Sequence, residues 1–457
     1  MAFVAYWAHE QFSPPDVGEP FDVAAFQAYT LSDEQNAFTF YRKAVALFVS
    51  EETVFASNAT LKRQDYWDSW KAAEQGWEHA SPAVRQWVKL NRGAREALEQ
   101  GAACAESLEF PLSDVTKAED LSFEWGKLRA CARIEFLEGL RLTAEGHPVE
   151  AWKCFRDLLR ASRHLAMHAG RVQTIFGSAL GDEGLKGTVI WSAHKDVTPV
   201  QLRQAIRDVL AIEEMRTPAS DSIKVEYLGL RDFANKGVVF GTTGPSWVRS
   251  TGYPAQIGRA ARLVVANLLT QADRPRYLRT AVHPGSLGLF ELDPAAAPDP
   301  KLRPPQEIEA SAVNSAPTIA GLLHKILPDA AQQFGICDPR LLLGTLWEAS
   351  LWQDVSQMHR SGLALALALQ LHYREHDEFP ASLDELVKNG YLKSIPADPF
   401  GKGEAFHYRR DRAPSRDARL WSVYTDGIDN GGADLHDGKG DWAVHVQAPG
   451  TSSASPK

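Results

Sequence analysis

The sequence lacks long hydrophobic runs and an excess of basic charge. No stretch of its 457 residues reaches the roughly 20 apolar residues that a membrane-spanning helix requires. Lys and Arg number 49 against 58 Asp and Glu, so the net charge is −9. This balance, with no concentrated basic stripe, argues against nucleic-acid binding.

Catalytic and redox motifs are also missing. There is no Gly-x-Ser-x-Gly nucleophile signature, no phosphate loop and no dinucleotide fingerprint. Four cysteines, at 104, 131, 154 and 337, form neither a CxxC pair nor a zinc pattern. Cys131 and Cys154 fall on adjacent predicted helices, so a disulfide is compatible with their placement, as are buried free thiols. The chain is therefore expected to be non-enzymatic.

What the sequence does contain is helical periodicity, which predicts an all-helical domain over residues 1–292. Apolar residues recur at spacings of three and four, as in Phe38, Tyr41, Ala44, Val45 and Phe48. Predicted helices include Pro82–Gln100, Val149–Ala169 and Gly170–His194. The segment 117–169 is similar to one tetratricopeptide unit. Glycines within the last helix, at 177, 181, 184 and 187, predict close packing against a neighbouring helix.

Several segments interrupt this pattern. Residues 236–258 are rich in glycine and predict a long surface loop over a groove. Residues 293–316 are rich in proline and predict a linker or an extended strap. The small polar residues 449–457 predict a disordered tail. The apolar start Met1–Trp7 is compatible with the end of a missing membrane anchor or with a buried strand or helix.

The part from 317 to 448 has a different organisation. A long helix is predicted from Pro339 to Glu375, and Ser382 with Glu385 predicts a capping box for a short helix. Three strand candidates follow: Ala405–Arg409, Leu420–Tyr424 and Trp442–Val446. The predicted fold class is α+β, with a large all-α region followed by a long helix packed on a small antiparallel sheet.

The strongest site candidate is the loop from Asp426 to Asp441, which holds five Asp, one Lys and several glycines. Five carboxylates within sixteen residues repel one another unless they are solvated or neutralised. Calcium takes six to eight oxygen ligands in flexible geometry, so the loop predicts either a calcium site or a solvated Asp-Gly turn. His372 and His376, and also His164 and His168, are spaced i, i+4 but lack a third ligand, and surface or packing roles are expected.

The C-terminal part resembles the globular domain of the major pseudopilin of bacterial type II secretion. The matching pieces, in order, are the helix into Tyr373, Phe379-Pro380, Leu383–Leu386, Gly390–Leu392, Pro396–Gly401 and Trp421–Gly427. The resemblance implies a helix on a small sheet and a calcium site, with Asp426 and Asp441 as ligands and Asp429 and Asp437 as further ligands. Chains that place such a module after an all-helical region look similar to a group of planctomycete-type helical proteins.

Three functions are compatible with these features. The first is a bacterial envelope or secretion-associated protein whose helical region binds a protein partner, with a missing N-terminal segment as membrane anchor; a cytoplasmic location is the alternative. The second is an enzyme of the hydrolase class with a groove under 236–258. The third is a scaffold of stacked helix pairs.

Overall fold

The computed structural model describes residues 17–56, 71–114, 122–215, 217–236, 339–411, 417–435 and 440–449, with shorter pieces between 238 and 276. The apolar start Met1–Trp7, the predicted linker at 293–316 and residues 450–457 lie outside this part of the chain. Most of the predicted loop at 236–258 and the residues 317–338 lie outside it as well.

The N-terminal part of the described chain is helical, as predicted. Its helices are α1 (Val23–Gln27), α2 (Ala37–Leu47), α3 (Glu51–Ala56), α4 (Pro82–Leu90), α5 (Arg92–Ala103), α6 (Ser122–Ala144), α7 (Pro148–Leu165), α8 (Arg171–Ala193), α9 (Pro199–Glu214) and α10 (Ala219–Lys236). A 3₁₀ turn spans Trp77–His79.

Polar side chains set the starts of several helices. Thr198 and Gln201 form a capping box at α9. Asn91 ends α4 and begins α5, so the single helix predicted over Pro82–Gln100 is wrong. The amide of Asn91 is fully buried and bonds both backbone groups of Val49, at 2.8 and 3.0 Å. This side-chain bonding competes with a continuous helix.

Helices α5 to α9 alternate between two layers. In one layer α7 lies between α5 and α9, and in the other α6 contacts α8. Across the layers, α7 packs on both α6 and α8. This alternation is the arrangement found in arrays of stacked helix pairs.

The glycines of α8 allow the close packing that their spacing predicts. A Cβ on Gly177 would lie 2.8 Å from the carbonyl oxygen of Ser162 on α7, and one on Gly187 would lie 2.2 Å from the ring of Phe155. Both distances are below any real Cβ contact. The stripe therefore brings the α8 backbone against α7 without interrupting the helix, which runs unbroken over 23 residues.

The C-terminal part contains α11 (Pro339–His376), α12 (Asp384–Lys388) and three strands, β3 (His407–Arg410), β4 (Ala418–Ser422) and β5 (Trp442–Val446). The strands form an antiparallel sheet in the order β3-β4-β5, with Leu420 opposite both Tyr408 and Val444. The described chain thus has the α+β character predicted at the coarse level. The long helix is continuous, also as predicted.

Two local predictions in and near this part are wrong. The capping box at Ser382 does not form: Glu385 accepts from the backbone of Ala381, and α12 is preceded by Leu383. The segment 236–258 is not loop throughout, because Val238–Val239 and Val248–Arg249 pair as strands β1 and β2. β-Branched valines on both arms favour this pairing.

The second half of α11 contacts more than the sheet on which it was expected to pack. Gln370 donates to the carbonyl of Gln447 beyond β5, whereas Arg374 donates to the carbonyls of Ser192 and His194 at the end of α8. A continuous run of buried side chains from Leu363 to Leu371 lies between the sheet and α8. One hydrophobic core therefore extends from α2 to β5 through this helix. Within the described residues, none of the helices has the length and apolar character to cross a membrane.

Candidate functional site

The acidic loop connects β4 to β5, so the sheet register fixes both of its ends. Asp426 lies in its first turn and uses one carboxylate oxygen to accept the backbone N–H of Ile428 at 3.0 Å. Gly440 closes the loop at a φ of 108°, and a Cβ there would lie 2.8 Å from the carbonyl oxygen of Asp434. Only glycine fits this position without strain.

Asp441 is the most deeply placed of the predicted ligands. Its side chain is 0% exposed, and Oδ2 accepts the backbone N–H groups of Asn430 and Gly432 at 3.0 and 2.7 Å. Its Oδ1 is buried and has no hydrogen-bond partner in the described part of the chain. A buried carboxylate oxygen without a donor is costly, and a bound cation would remove that cost.

The other acidic side chains of the loop have protein partners. Oδ1 of Asp429 accepts from Trp421 Nε1 at 2.9 Å and from the N–H of Gly431 at 2.8 Å. These bonds lower the pKa of Asp429. Asp434 pairs with Arg419 at 3.0 Å. Asp437 lies outside the described residues. Among those described, no three His, Cys, Asp or Glu side chains are grouped so as to hold a metal ion.

The loop fits a cation to a limited extent. Asp441 offers one buried oxygen without a partner, and Asp426 keeps one oxygen outside the hydrogen bond described above. Oδ2 of Asp429 lies 3.5 Å from Nδ1 of His407. Further ligands would have to come from Asp437 or from backbone carbonyls. The predicted calcium site stays a prediction on these terms.

A second buried carboxylate, Asp398, organises the turn before β3. It accepts the N–H of Phe400 at 3.0 Å, the hydroxyl of Ser422 at 2.8 Å and the N–H of Val423 at 3.3 Å. Burial raises its pKa, and these hydrogen bonds oppose that rise. Asp398 therefore ties the turn Pro396–Gly401 to the end of β4.

A separate site lies on the helical layers. A groove of about 610 Å³ has α7 as its floor and α5 and α9 as its walls. The floor residues are Lys153, Arg156, Asp157 and Arg160. The lining of the walls is Glu96, Glu99, Gln100, Ala102, Ala103, Asp208, Ala211 and Ile212. Its volume is within the range of about 300–1,000 Å³ that is typical of ligand pockets.

The cations of the floor differ in how they are partnered. Lys153 pairs with Glu99 at 2.5 Å, and Arg156 pairs with its buried neighbour Asp157 at 2.9 Å. Arg160 donates instead to two backbone carbonyls at the end of α5, those of Ala102 and Cys104. No carboxylate of the described chain lies within ion-pair distance of Arg160, so its charge is not neutralised by a side chain.

A buried ion cluster lies next to this groove. Arg95 on α5 bonds Glu135 and Glu138 on α6, both at 2.9 Å, and lies 3.6 Å from Glu99 in the groove wall. Glu135 is fully buried, and burial raises its pKa to about 7 although Arg95 opposes the rise. The cluster fixes α5 against α6 and so fixes one wall of the groove.

The four histidines of the two i, i+4 pairs have different surroundings: His164 and His372 are buried, His376 is exposed, and His168 lies 3.3 Å from Asp221. His164 is buried between the hydroxyl of Tyr41, at 2.7 Å, and the carbonyl of Cys104, at 3.1 Å. Burial lowers its pKa to about 3, so it stays neutral. The rings of His372 and His376 lie 4.4 Å apart. Cys104, Cys131 and Cys154 are free thiols, so the disulfide alternative is wrong.

Sequence reasoning missed the groove, although a signal was present. Lys153, Arg156 and Arg160 are spaced i, i+3 and i+7 on one predicted helix, which places them on one face. The walls come from helices about fifty residues away on either side, and no local pattern pairs them with α7.

No protein-family model, no curated protein and no solved structure matches this chain. The resemblance to pseudopilins therefore rests on the motif residues alone.

Proposed function

We propose that this protein is a non-enzymatic binding protein of the bacterial cell envelope that holds a protein partner in the groove between α5, α7 and α9. The small sheet, supported by calcium, would form a second, structural part of the same molecule. The groove is the observation that carries this proposal.

The form of the groove favours a polypeptide as its occupant. It has a floor of one helix and two helical walls, and its volume exceeds that of a single small ion several-fold. Ala102, Ala103, Ala211 and Ile212 give the walls apolar surface, whereas the floor offers charged groups. Apolar walls with a few placed charges suit a peptide segment that contributes both backbone and side chains.

The layered helices favour the scaffold form of this proposal. The groove crosses three helices of one layer, α5, α7 and α9, which are alternate elements of the chain. Arrays of this kind use such faces to bind extended partners.

The calcium site and the envelope location are supported by different observations. The calcium site is supported by the buried Oδ1 of Asp441, which has no partner in the described chain, and by the acidic composition of the loop. Asp426, Asp429 and Asp437 would supply further oxygens, and the ion would neutralise carboxylate repulsion in the loop. The envelope location is supported by the resemblance of the C-terminal part to pseudopilins.

Site-specific photocrosslinking in cells tests the proposal. A photoreactive amino acid replaces Gln100 in the groove wall, and a matched control replaces Val200, which is 74% exposed on α9 outside the groove. We expect a discrete protein adduct from position 100 only. The captured protein, identified and purified, should then bind the full chain and lose affinity when Ala103→Trp fills the groove. Equal adducts from both positions, or unchanged binding by the filled variant, would exclude the groove as the binding site.

A further inference from the structure

A row of four charged side chains connects the buried ion cluster with the groove. In order, the row consists of Glu135 on α6, Arg95 and Glu99 on α5, and Lys153 on the groove floor. Arg95 lies 2.9 Å from Glu135 and 3.6 Å from Glu99. The other oxygen of Glu99 accepts from Lys153 at 2.5 Å. The exposed fraction of the side chains rises along the row from 0% through 12% and 22% to 53%, so the row leads from the core to the groove.

Glu135 is the member of this row that can change its charge near neutral pH. Burial raises its pKa to about 7, although Arg95 opposes the rise. Arg95 donates to Oε2 of Glu135, whereas Oε1 is buried without a hydrogen-bond partner in the described chain. A proton can therefore bind Oε1 without displacing a donor. It also removes a buried charge, which costs more free energy than a buried neutral carboxyl group.

The surroundings of Glu135 leave it as the titrating acid of the ion cluster. The described groups that face it are Arg95 and Glu99 on α5, Glu138 on α6, and Lys153, Cys154 and Asp157 on α7. Burial raises the pKa of Glu138, but Arg141 and Arg95 outweigh burial and hold that pKa below its ordinary value. Burial and the charge of Glu135 raise the pKa of the Cys154 thiol, which therefore stays protonated. Asp157 is a rival acceptor of the proton, because burial raises its pKa as well.

We propose that Glu135 is a proton switch for the groove: when it takes up a proton, Arg95 moves from Glu135 towards Glu99, and Lys153 loses part of its bond to Glu99. This inference concerns the regulation of the groove and rests on the proposed function. The movement is short, since Arg95 already lies 3.6 Å from Glu99, four positions along the same helix. A partner in the groove would then meet a lysine whose pairing depends on pH.

The sign of the effect follows from the carboxylates around Arg95. Three carboxylates share its charge while Glu135 is ionised, those of Glu135, Glu138 and Glu99. After protonation of Glu135 two remain, so the attraction between Arg95 and Glu99 increases. The hydrogen bond from Lys153 to Glu99 raises the pKa of Lys153. A weaker bond at lower pH should therefore make the Lys153 amine lose its proton more readily and react faster.

Competitive acetylation of the full chain with trace acetic anhydride tests this inference. Only the uncharged amine reacts, and mass spectrometry gives the rate at Lys153 relative to the rate at Lys89, which is exposed on α4. The ratio of two such rates stays constant with pH when neither lysine changes its surroundings. We expect the ratio to be about threefold higher at about pH 6 than at about pH 8, a change that fits the small energy of a partly exposed ion pair.

Three substitutions separate the members of the row. Glu135→Gln imitates the protonated acid and should give the higher ratio at both pH values. Glu99→Gln removes the connection to Arg95, so the ratio should no longer change with pH. Asp157→Asn should keep the full change, because Asp157 is not part of the row. Glu99→Gln alters a partly exposed side chain and gives an independent answer if Glu135→Gln fails to fold.

Four results would overturn the inference. They are a ratio that does not change with pH in the unmodified chain, a change that survives in Glu135→Gln, a change that survives in Glu99→Gln, and loss of the change in Asp157→Asn. The third would mean that Glu135 acts on Lys153 directly through its charge, and the fourth that Asp157 takes up the proton. The labelling needs no partner, so its failure leaves the proposed function standing, and a failed crosslink at position 100 leaves the switch standing.

Discussion

Glu135 in the helical layers and Asp441 beside the small sheet are both fully buried carboxylates, but their partners differ. Glu135 bonds the guanidinium of Arg95, which is itself shared with Glu138. Asp441 bonds only backbone N–H groups. Long helices bring side chains of opposite charge together from different elements, whereas a tight turn offers mainly its own backbone. Each carboxylate has one buried oxygen without a hydrogen-bond partner in the described chain, but only Glu135 has a cation beside it. The lack of a side-chain cation at Asp441 is what suggests a bound ion in the turn.

The largest expected effect tests the helical side of this comparison. Arg95→Met leaves Glu135 and Glu138 buried without their common cation, and removing one partner of a buried pair costs about 3–5 kcal/mol. Urea unfolding measures the loss. Arg92→Met, whose side chain is 80% exposed, should change the unfolding free energy by no more than about 0.5 kcal/mol. Equal effects of the two variants would show that the cluster is not a special source of stability.

The second prediction tests whether calcium binds the acidic loop beside the sheet. If the ion binds the folded loop, calcium at a hundred times its dissociation constant should stabilise the full chain by about 2.7 kcal/mol relative to EDTA. Asp441→Asn should abolish this gain, whereas Asp196→Asn, an acid in the turn before α9, should retain it. Thermal melting in calcium and in EDTA is the measurement. Coincident melting curves for the unmodified chain would leave an acidic turn without metal.

The two regions are also expected to differ in how much a methyl group added at a closely packed glycine destabilises the protein. Gly187→Ala forces a Cβ against the fully buried Phe155 and should cost about 1–3 kcal/mol. Gly362→Ala meets Trp442 at 2.5 Å, but that ring is only partly buried and can shift, so a smaller loss is expected. Gly229→Ala meets nothing within 4 Å and should stabilise α10 by up to about 1 kcal/mol. Chemical denaturation ranks the three, and a larger loss at Gly362 than at Gly187 would contradict the comparison.

The last effect is small over any single pH unit and concerns Glu109, a buried acid on the helical side. It accepts from Gln173 at 2.8 Å, and burial raises its pKa from 4.5 to about 7. Between these values the folded protein binds more protons than the unfolded chain, so the unfolding free energy should fall as pH rises. The slope from one such group is at most about 1.4 kcal/mol per pH unit. Denaturation at several pH values should show a flatter profile for Glu109→Gln, and an unchanged profile would remove Glu109 as the cause.

Much of the fold could be predicted because its signals are local. The apolar spacing in α2, α7 and α9, the glycines of α8 and the strand Trp442–Val446 all follow from short-range patterns. The break at Asn91 could not be predicted, since it depends on hydrogen bonds to Val49, forty-two residues away. That α11 joins the helical part to the sheet could be predicted, but the contact of its second half with the end of α8 could not. The alternating Leu and Ala of this half show that both faces are buried but not against which partners.

The candidate sites likewise have some features that are local in the sequence and others that depend on distant residues. The acidic loop is visible in the sequence, since its carboxylates are consecutive in the chain. The different states of Asp441 and Asp429 are not visible, because burial and the bond from Trp421 are set by the sheet. The groove needed α5, α7 and α9 together. That Arg160 bonds backbone carbonyls and no carboxylate became visible only from its contacts with Ala102 and Cys104.

The position of α11 has a consequence for how the chain folds. Contacts such as Arg374 with Ser192 join residues 182 positions apart, so they close a very long loop. Non-local contacts of this kind slow folding, because chain entropy is lost before the contact forms. During synthesis, α8 and α9 leave the ribosome long before α11 is made, and their surfaces for it stay uncovered in the meantime. Protection of that nascent surface, rather than the final stability of the protein, is then expected to limit the yield of folded molecules.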